Sequence, residues 1–133
     1  MDESRLKYAS PLFTGLGKRE RKALAMRADR IDIPEGKQLA REGDFAYEFF
    51  VIMEGTAEVT HGSDHVRDLG PGDFFGEIGI LASERRTATV TATSPMEVIV
   101  MTSQALRQLN REEPDVARRL KQAIDERLAA DRG

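Results

Sequence analysis

Residues 49–62 read FFVIMEGTAEVTHG, and this stretch decides the fold class. Two short runs rich in β-branched and aromatic residues, Phe49 to Met53 and Ala57 to Thr60, flank Glu54-Gly55, a pair typical of a tight turn. Similar runs occur at Ile31 to Ile33, Thr87 to Ala92 and Glu97 to Met101. Glycines separate these runs throughout residues 29–102, so the sequence predicts a jelly roll or sandwich of about eight strands.

Helical patterns lie on both sides of this β-region. Residues 1–28 contain a short apolar turn and a stretch rich in Lys, Arg, Glu and Ala, which predict a small N-terminal helical element. Beyond the β-region, Ser103 is expected to cap a helix that runs through Leu109. Glu113-Pro114-Asp115 then opens a second helix, and four of its residues form an apolar stripe: Val116, Leu120, Ile124 and Leu128. The fold class is therefore mainly β with flanking α, with two C-terminal helices over residues 103–130.

Length and composition exclude several classes of protein. The chain has 133 residues, enough for one domain, and it has no cysteine, which excludes disulfide scaffolds, cysteine–zinc sites and cysteine nucleophiles. Its net charge of -3 argues against a nucleic-acid partner, and no helix-turn-helix pattern follows the last helix. No apolar run approaches the roughly 20 residues of a membrane span. We expect a cytoplasmic protein with no direct membrane insertion.

The segment that carries chemistry is residues 72–90, GDFFGEIGILASERRTATV. Gly76 and Gly79 let the backbone approach a ligand closely, and a helical turn from Ile78 would present N–H groups to an anion. Arg86 offers a fork of donors that matches a phosphate, with Thr87 beside it. The carboxylate of Glu77 is suited to accept a hydrogen bond from a sugar hydroxyl. Together these groups predict a site for a nucleotide held by its phosphate and its ribose.

At these residues the sequence resembles the cyclic-nucleotide-binding domain family of catabolite-activator-type regulators, kinase regulatory subunits and cyclic-nucleotide-gated channels. The segment from Phe75 to Leu81, followed by Arg86-Thr87-Ala88, is similar to that family's phosphate-binding cassette. The resemblance covers nearly the whole chain. It implies a single domain over residues 1–133, with an N-terminal helical element (1–28), a β-roll (29–102) that holds the cassette (75–88), and C-terminal helices (103–130) that serve as a lid or a dimer seam.

The resemblance also implies a role for each site residue. Glu77 would accept from the ribose 2′-hydroxyl, Arg86 would pair with the cyclic phosphate, and the backbone at Gly76, Ile78 and Thr87 would complete the cradle. The implied ligand-binding set is Phe75, Gly76, Glu77, Ile78, Gly79, Arg86, Thr87 and Ala88. Arg85 is expected to face solvent.

The identity of the base is less constrained by the sequence. The resemblance favours cAMP, and Thr87 leaves cGMP open because a threonine beside the arginine can bond a guanine amino group in the channel members. The final helix usually caps the base, often with an aromatic ring, but no ring follows Phe75 here. Ile124, Arg127 or Leu128 would have to serve as the cap.

The same residues also allow other interpretations. Glu77 and Arg86 could form an ion pair between neighbouring turns instead of a ligand site. His61 and His65 stand four residues apart, but the intervening Gly62-Ser63-Asp64 predicts a hairpin turn, so we expect no metal site there. The Phe49-Phe50 and Phe74-Phe75 pairs are expected in the core. No nucleophile elbow or catalytic triad is present, and no enzymatic activity or cofactor is expected.

The sequence therefore predicts a non-enzymatic cyclic-nucleotide sensor that signals by movement of its C-terminal helices to an effector protein. A homodimer through the last helix is a further expectation. Two alternatives stay open. One is a ligand-free jelly roll that acts as an interaction or dimerisation module. The other is the sensor domain of a longer channel, transporter or enzyme.

Overall fold

The computed structural model describes residues 1–45, 48–76 and 85–132, with the backbone alone at residues 128 and 130–132. Its helical elements are α1 (Glu3–Ala9), a 3₁₀ turn (Pro11–Phe13), α2 (Lys18–Ala25), α3 (Ser103–Glu112) and α4 (Pro114–Arg132). Its strands are β1 (Asp29–Ile33), β2 (Gln38–Ala40), β3 (Glu48–Glu54), β4 (Ala57–His61), β5 (Asp64–Leu69), β6 (Phe74–Phe75), β7 (Thr89–Ala92) and β8 (Met96–Thr102). The predicted jelly roll with flanking helices is confirmed.

The strands form two antiparallel sheets of four strands each in the described residues. The first sheet has the order β1-β8-β3-β6, and the second has the order β2-β7-β4-β5. One cluster of buried side chains, which includes Ile52 and Val98 from the first sheet and Val59 and Val90 from the second, fills the space between them. This cluster is the core of the roll.

Strands β3 and β8 are apolar on both faces because both faces are covered. Phe50 and Ile52 point into the core of the roll, whereas Phe49 and Val51, one residue out of phase, point to a second cluster. Successive side chains of a strand face opposite sides of the sheet, so a continuous apolar run is what two covered faces require. The sequence run at Phe49 to Met53 therefore encodes a shared wall between two cores.

The second cluster is formed by the helices. Leu6 of α1, Phe13 of the 3₁₀ turn, Leu24 of α2 and Leu109 of α3 are buried with the outer face of β3 and β8. Val116, Leu120 and Ile124 of α4 join the same cluster and are each at most 4% exposed. Three of the four residues of the apolar stripe predicted for the last helix are therefore buried within the same chain, and the side chain of the fourth, Leu128, lies outside the described residues.

Two element boundaries and one additional helix differ from the sequence-based expectation. The cap of α3 is Thr102 and not Ser103, because the Thr102 hydroxyl accepts from the Ala105 N–H at 3.0 Å. Helix α1 was not predicted, since only Leu6 and Ala9 of its seven residues are buried and the apolar pattern is too sparse. Strand β7 begins at Thr89 and not at Thr87.

The expected turn at Gly62-Ser63 is confirmed. Strands β4 and β5 pair from His61 opposite Asp64 to Ala57 opposite Leu69, and Gly62 has a φ of 60°. The register shifts next to Val59, which lies opposite Arg67. Sequence reasoning did not identify β5, because five of its six residues are exposed and most are polar.

No helix within residues 1–45, 48–76 and 85–132 has both the length and the apolar composition needed to cross a bilayer.

A nearly buried carboxylate fastens α1 to the first sheet. Glu97 of β8 is 8% exposed and accepts from Arg30 Nε at 2.5 Å and from Arg5 Nη2 at 2.6 Å. The hydrogen bond from Arg30, supported by the charges of both arginines, holds the pKa of Glu97 below its ordinary value of 4.5. A lowered pKa in the folded state means that this carboxylate stabilises the fold above pH 4.5 and ceases to do so as the pH falls through the folded value.

Replacing Glu97 by Gln is expected to lower the Tm by several degrees at pH 7, because two guanidinium groups lose a charged acceptor. The difference from the parent chain should shrink as the pH falls below about 4.5 and the parent carboxylate takes up its proton. Thermal unfolding followed by circular dichroism between pH 3 and pH 7 measures both effects. Asp32→Asn is the control, since the Asp32 side chain is 75% exposed and touches only the rim of the cluster at Arg30. Equal losses at pH 3 and pH 7 would contradict the assignment.

Candidate functional site

Five of the site residues named from the sequence line one cavity of about 340 Å³: Phe75, Gly76, Arg86, Thr87 and Ala88. This volume lies within the roughly 300–1,000 Å³ of small-molecule sites. Arg67 and Arg85 line the same cavity, so the described part of its wall carries three guanidinium groups. The arrangement is suited to an anion with an apolar body, because the other described wall residues, such as Val59 and Val90, are apolar.

Arg86 is fixed by both its backbone and its side chain. Its N–H donates to Asp44 O at 2.7 Å, and its carbonyl accepts from Gly43 N at 2.9 Å. Its Nη2 donates to Glu48 O, the first carbonyl of β3, at 2.5 Å. The guanidinium is therefore oriented by the edge of the first sheet before any ligand arrives, which lowers the entropic cost of binding an anion.

Gly76 allows this orientation. It has a φ of 92°, and a Cβ on it would lie 2.6 Å from Glu48 O and 3.3 Å from Arg86 Cζ. A side chain at this position would therefore need a strained backbone and would displace the guanidinium. The glycine that the sequence analysis assigned to close ligand approach serves first to let Arg86 lie against the backbone.

Thr87 is tied to the neighbouring hairpin. Its carbonyl lies 3.2 Å from Nδ1 of His61, and the same ring nitrogen lies 3.4 Å from a carboxylate oxygen of Glu42. Glu42 also accepts from Gly62 N at 2.9 Å and donates its own N–H to Thr89 Oγ1 at 3.0 Å. These bonds connect the segment after Arg86 to the β4–β5 turn.

Arg85 is exposed, as expected, and its side chain makes two contacts. Its guanidinium carbon lies 4.1 Å from the centroid of the Phe45 ring, and its Nη1 donates to Gly43 O at 2.8 Å. A cation held over an aromatic face contributes about 0.5–1 kcal/mol at an exposed site. The pair closes the loop before β3 against the segment that carries Arg86.

The phenylalanine pairs lie in the core, as expected. Phe50 and Phe75 stack with centroids 4.8 Å apart on the roll side of the first sheet, whereas Phe49 and Phe74 meet at 5.8 Å on the helix side. Phe75 also lines the cavity. Adjacent residues of β6 therefore belong to the ligand cavity and to the helical core.

The histidines lie among carboxylates on the exposed surface of the second sheet. His65 Nδ1 is 3.3 Å from Glu58, and its Nε2 is 3.8 Å from Asp68. The ligand atoms of these three residues all lie within 4.8 Å of one another. Each ring nitrogen of His65 faces a different carboxylate, so the three residues form one small polar cluster on the exposed surface.

Comparison with known proteins identifies the family. The family model of the cyclic nucleotide-binding domain matches residues 30–113. This chain belongs to that family. The match runs from the second residue of β1 through β8 and all of α3, and it includes the cavity described above.

Three similar proteins illustrate the relationship. A cGMP-dependent protein kinase of Eimeria tenella is 36% identical over 84 residues, which are 63% of this chain and 8% of the kinase. A cAMP-dependent protein kinase regulatory subunit of Dictyostelium discoideum is 32% identical over 102 residues, 71% of this chain and 31% of the subunit. The crystal structure of a putative cyclic nucleotide-binding protein from Geobacter metallireducens superposes with a TM-score of 0.85 at 22% identity, over 98% of this chain and 97% of that one. This last likeness concerns the fold.

The chain spans between 8% and 33% of the length of four curated relatives.

Some predicted site residues of this cyclic nucleotide-binding domain lie outside the described residues. They are Glu77, Ile78 and Gly79, and also the side chain of Leu128. The assignment of Glu77 to the ribose and of the Ile78 backbone to the phosphate stays a prediction.

The other two residues named as a base cap do not reach the cavity in this structure. Ile124 is buried with the helices, 3% exposed, and Arg127 lines a separate groove beside Pro11 and Gly15. Helix α4 packs on the 3₁₀ turn and on α2. A cap from α4 would therefore require the helix to leave this position.

Residues that sequence reasoning missed come mainly from the β4–β5 hairpin. Val59, Val66 and Arg67 line the cavity although none was named as a site residue. The signal was weak because β5 has no apolar alternation. The position of Arg67 in the cavity wall follows only from the sheet register, in which Arg67 lies opposite Val59.

Replacing Gly76 by Ala is expected to weaken cyclic-nucleotide binding by at least about tenfold, because the new Cβ would displace the Arg86 guanidinium, which the sequence analysis assigns to the phosphate. Isothermal titration calorimetry with cAMP and with cGMP measures the loss. Gly36→Ala is the control, since Gly36 has a φ of 89° but no atom within 4 Å of the added Cβ. Both variants should lose about 1–2 kcal/mol of stability from backbone strain, and only Gly76→Ala should lose affinity.

Proposed function

We propose that this cyclic nucleotide-binding domain is a non-enzymatic regulatory module that binds a purine cyclic nucleotide in the Arg86 cavity. The observation that carries the proposal is the placement of Arg86, which is held at the edge of β3, packed against Gly76, and aimed into a cavity rich in guanidinium groups. A cyclic phosphate carries one negative charge, and a forked donor neutralises it with two hydrogen bonds.

The remaining contacts follow from the family. Thr87 would bond the phosphate beside Arg86, and Glu77 would accept from the ribose 2′-hydroxyl, as the sequence analysis expects. The described wall of the cavity offers apolar side chains for the base and guanidinium groups for the phosphate. This chemistry supports binding and release of an unchanged ligand. The non-enzymatic character and the cytoplasmic location stay part of the proposal.

The choice of base is also part of the proposal. The sequence favours cAMP, and the Dictyostelium discoideum relative bears cAMP in its name whereas the Eimeria tenella relative bears cGMP. We keep cAMP as the ligand favoured by the sequence. We treat cGMP as the second candidate because Thr87, beside Arg86, leaves it open, as the sequence analysis expects.

Signalling would pass through the wall that the cavity shares with the helices. Phe75 lines the cavity and stacks on Phe50, and its neighbour Phe74 contacts Phe49 in the helical core. A ligand that pushes on Phe75 therefore acts one residue away from the surface on which the helices rest. This continuity supports a ligand-dependent shift of α3 and α4.

The attachment of the C-terminal helices is suited to such a shift. Three ion pairs join them to α2 and its flank: Arg119 to Glu20 at 2.8 Å, Arg27 to Glu112 at 2.7 Å, and Arg19 to Glu113 at 3.1 Å. Each pair has at least one partner that is more than half exposed, and such pairs contribute little individually. These ion pairs therefore add little to the cost of moving α4, which depends mainly on the burial of Val116, Leu120 and Ile124. A shift of α4 toward the cavity would bring Ile124 or Arg127 closer to the base.

The receiver of the signal is proposed to be an effector protein or an attached domain. A homodimer through the last helix stays a prediction, and it would have to use the polar side of α4, because Val116, Leu120 and Ile124 are already buried within the chain. The same burial removes the exposed stripe on which the ligand-free interaction module depended. The domain limits given in the sequence analysis stay proposals as well.

Replacing Arg86 by Ala is expected to abolish saturable binding of cAMP and cGMP, since the guanidinium that neutralises the phosphate is removed. For the parent chain, ligand at 100 times the Kd should raise the free energy of unfolding by about 2.7 kcal/mol. Calorimetric titration and thermal unfolding with and without nucleotide check both statements. Lys22→Ala is the control, because Lys22 is an exposed cation on α2 that lines neither of the two cavities beside Arg86. Unchanged affinity in the Arg86 variant would contradict the proposal.

Movement of α4 can be tested by distance measurement. Because the chain has no cysteine, spin labels placed at Ser63→Cys in the hairpin turn and Lys121→Cys on α4 report one distance. We expect saturating nucleotide to shorten this distance, measured by double electron–electron resonance. The same labelled pair with Arg86→Ala should show no change. A distance that stays constant while the nucleotide binds would exclude signalling by this helix.

A further inference from the structure

Strand β1 is an edge of the first sheet and pairs on one side only. Its five residues lie opposite β8 in a regular antiparallel register, from Asp29 opposite Val100 to Ile33 opposite Met96. The first four of them are exposed. Because alternate backbone groups of a strand point to its two sides, the outer side of β1 presents N–H and C=O groups. In the described part of the chain these groups bond no partner.

The other three edge strands of the described sheets are short or irregular. Strand β6 has two residues, and β2 has three, with a register shift against β7. Strand β5 has six residues, but its register against β4 shifts next to Val59. Short strands and bulges hinder the pairing of an edge with another chain. Strand β1 lacks both devices, so its side chains decide whether it can pair.

The charges of β1 are complementary to those of a second β1. Residues 29–33 read DRIDI. If two copies lie antiparallel with Ile31 opposite Ile31, each Arg30 lies opposite the Asp32 of the other copy. Opposite charges at directly opposed positions stabilise an antiparallel pair, whereas like charges destabilise it. The order of residues therefore favours one arrangement, with a two-fold axis through Ile31.

Both charged side chains have bonding capacity left for this pairing. Arg30 uses Nε for Glu97 and Nη2 for Asp32 of its own chain, and its Nη1 donates to no group among the described residues. The Asp32 side chain is 75% exposed, and Oδ1 alone of its two oxygens accepts a hydrogen bond from a described residue. Each Arg30 can therefore donate from Nη1 to Oδ2 of the opposed Asp32 and keep its bond to Glu97.

Ile31 supplies the apolar part of this edge. It is 38% exposed, although it lies opposite Val98, which is fully buried in the core of the roll. Directly opposed residues share a face of the sheet, so Ile31 lies on the roll side of β1, at the margin of that core. Contact with a second Ile31 would remove this apolar surface from water.

We propose that this domain forms a symmetric dimer by antiparallel pairing of β1 with β1 of a second copy, centred on Ile31. The pairing joins two sheets of four strands into one continuous sheet. Pro34 follows Ile33 and has no N–H to donate, so the pairing ends there. Because the interface is small, the dimer is weak and depends on concentration. It uses neither the Arg86 cavity nor α4, so it stands or falls independently of the proposed function.

Sedimentation equilibrium of the full chain, from micromolar to millimolar concentration, measures the dimer. We expect a reversible equilibrium between monomer and dimer in the parent chain. Ile31→Lys should leave the monomer alone, because two ammonium groups would meet at the centre of the interface. Met26→Lys is the matched control, since Met26 is an apolar residue, 81% exposed, that lies between α2 and β1 and on no sheet edge. It should dimerise as the parent does.

Charge reversal tests the pairing of Arg30 with Asp32. Asp32→Arg places like charges opposite each other at two symmetric positions, and it should weaken the dimer by about tenfold or more. Arg30→Asp combined with Asp32→Arg restores opposite charges in the same register and should recover most of that loss. The new arginine at position 32 lies opposite Glu97, so it can replace the bond that Arg30 gives up. Circular dichroism checks that each variant is folded.

A cysteine cross-link tests the register, because the chain has no cysteine of its own. Directly opposed residues of an antiparallel pair have Cα atoms about 4.5–5.5 Å apart, within the range that a disulfide bridges. Ile31→Cys should therefore form a linked dimer with oxidised glutathione. Asp29→Cys is the control on the same exposed edge, since its counterpart would lie four residues away along the strand, at roughly 14 Å. It should stay unlinked.

The outcomes decide the proposal in either direction. A parent chain that stays monomeric at millimolar concentration overturns it. A dimer that neither Ile31→Lys nor Asp32→Arg weakens also overturns it, since another surface, such as α4, would then hold the two copies. Equal cross-linking at positions 29 and 31 contradicts the register. A dimer that is lost in Ile31→Lys, recovered by the exchange of charges and cross-linked at position 31 alone supports it.

Discussion

The pairing of β3 with β8 is the constraint on which the rest of this structure depends. Both strands are buried on both faces, so they serve at once as one wall of the roll and as the platform of the helices. Phe50 and Phe49, adjacent in sequence, therefore belong to different cores. Burial on two sides requires apolar residues at nearly every position, Glu97 with its two arginine partners being an exception in β8. It also fixes the register, because a slip of one residue would exchange the two cores.

The candidate site is built on the same wall. Arg86 is oriented by the first carbonyl of β3, at Glu48, and Gly76 directly follows β6, which pairs with β3. In the proposed binding mode the first sheet fixes the residues that meet the phosphate, and the hairpin of the second sheet forms the opposite end of the cavity. A nucleotide would bridge the two sheets. That bridging gives a physical reason for the helices to respond, because they rest on the outer face of β3 and β8.

Much of this arrangement could be predicted from local pattern. The apolar runs that became β3, β4 and β8 are dense enough to identify strands, and the spacing from Phe75 to Arg86 identified the cassette. Prediction failed where the local signal was weak. Helix α1 buries only two residues, and β5 is mostly polar because its outer face meets solvent. Arg67 escaped notice for the same reason, since nothing in its neighbours distinguishes it from a surface arginine.

Residue types at short and fixed spacing were enough to indicate the fold class, the family and Arg86 as the cation proposed to bind the phosphate. Which side chains line the cavity and which lie in the helical core depends on tertiary packing. It placed Arg67 opposite Val59 and inside the cavity, and it buried Ile124 with the helices, away from the base. It also buried Val116, Leu120 and Ile124 of α4 within the chain. These are long-range pairings set by the register of sheets and the packing of helices, and a linear pattern does not specify which of several apolar surfaces will meet.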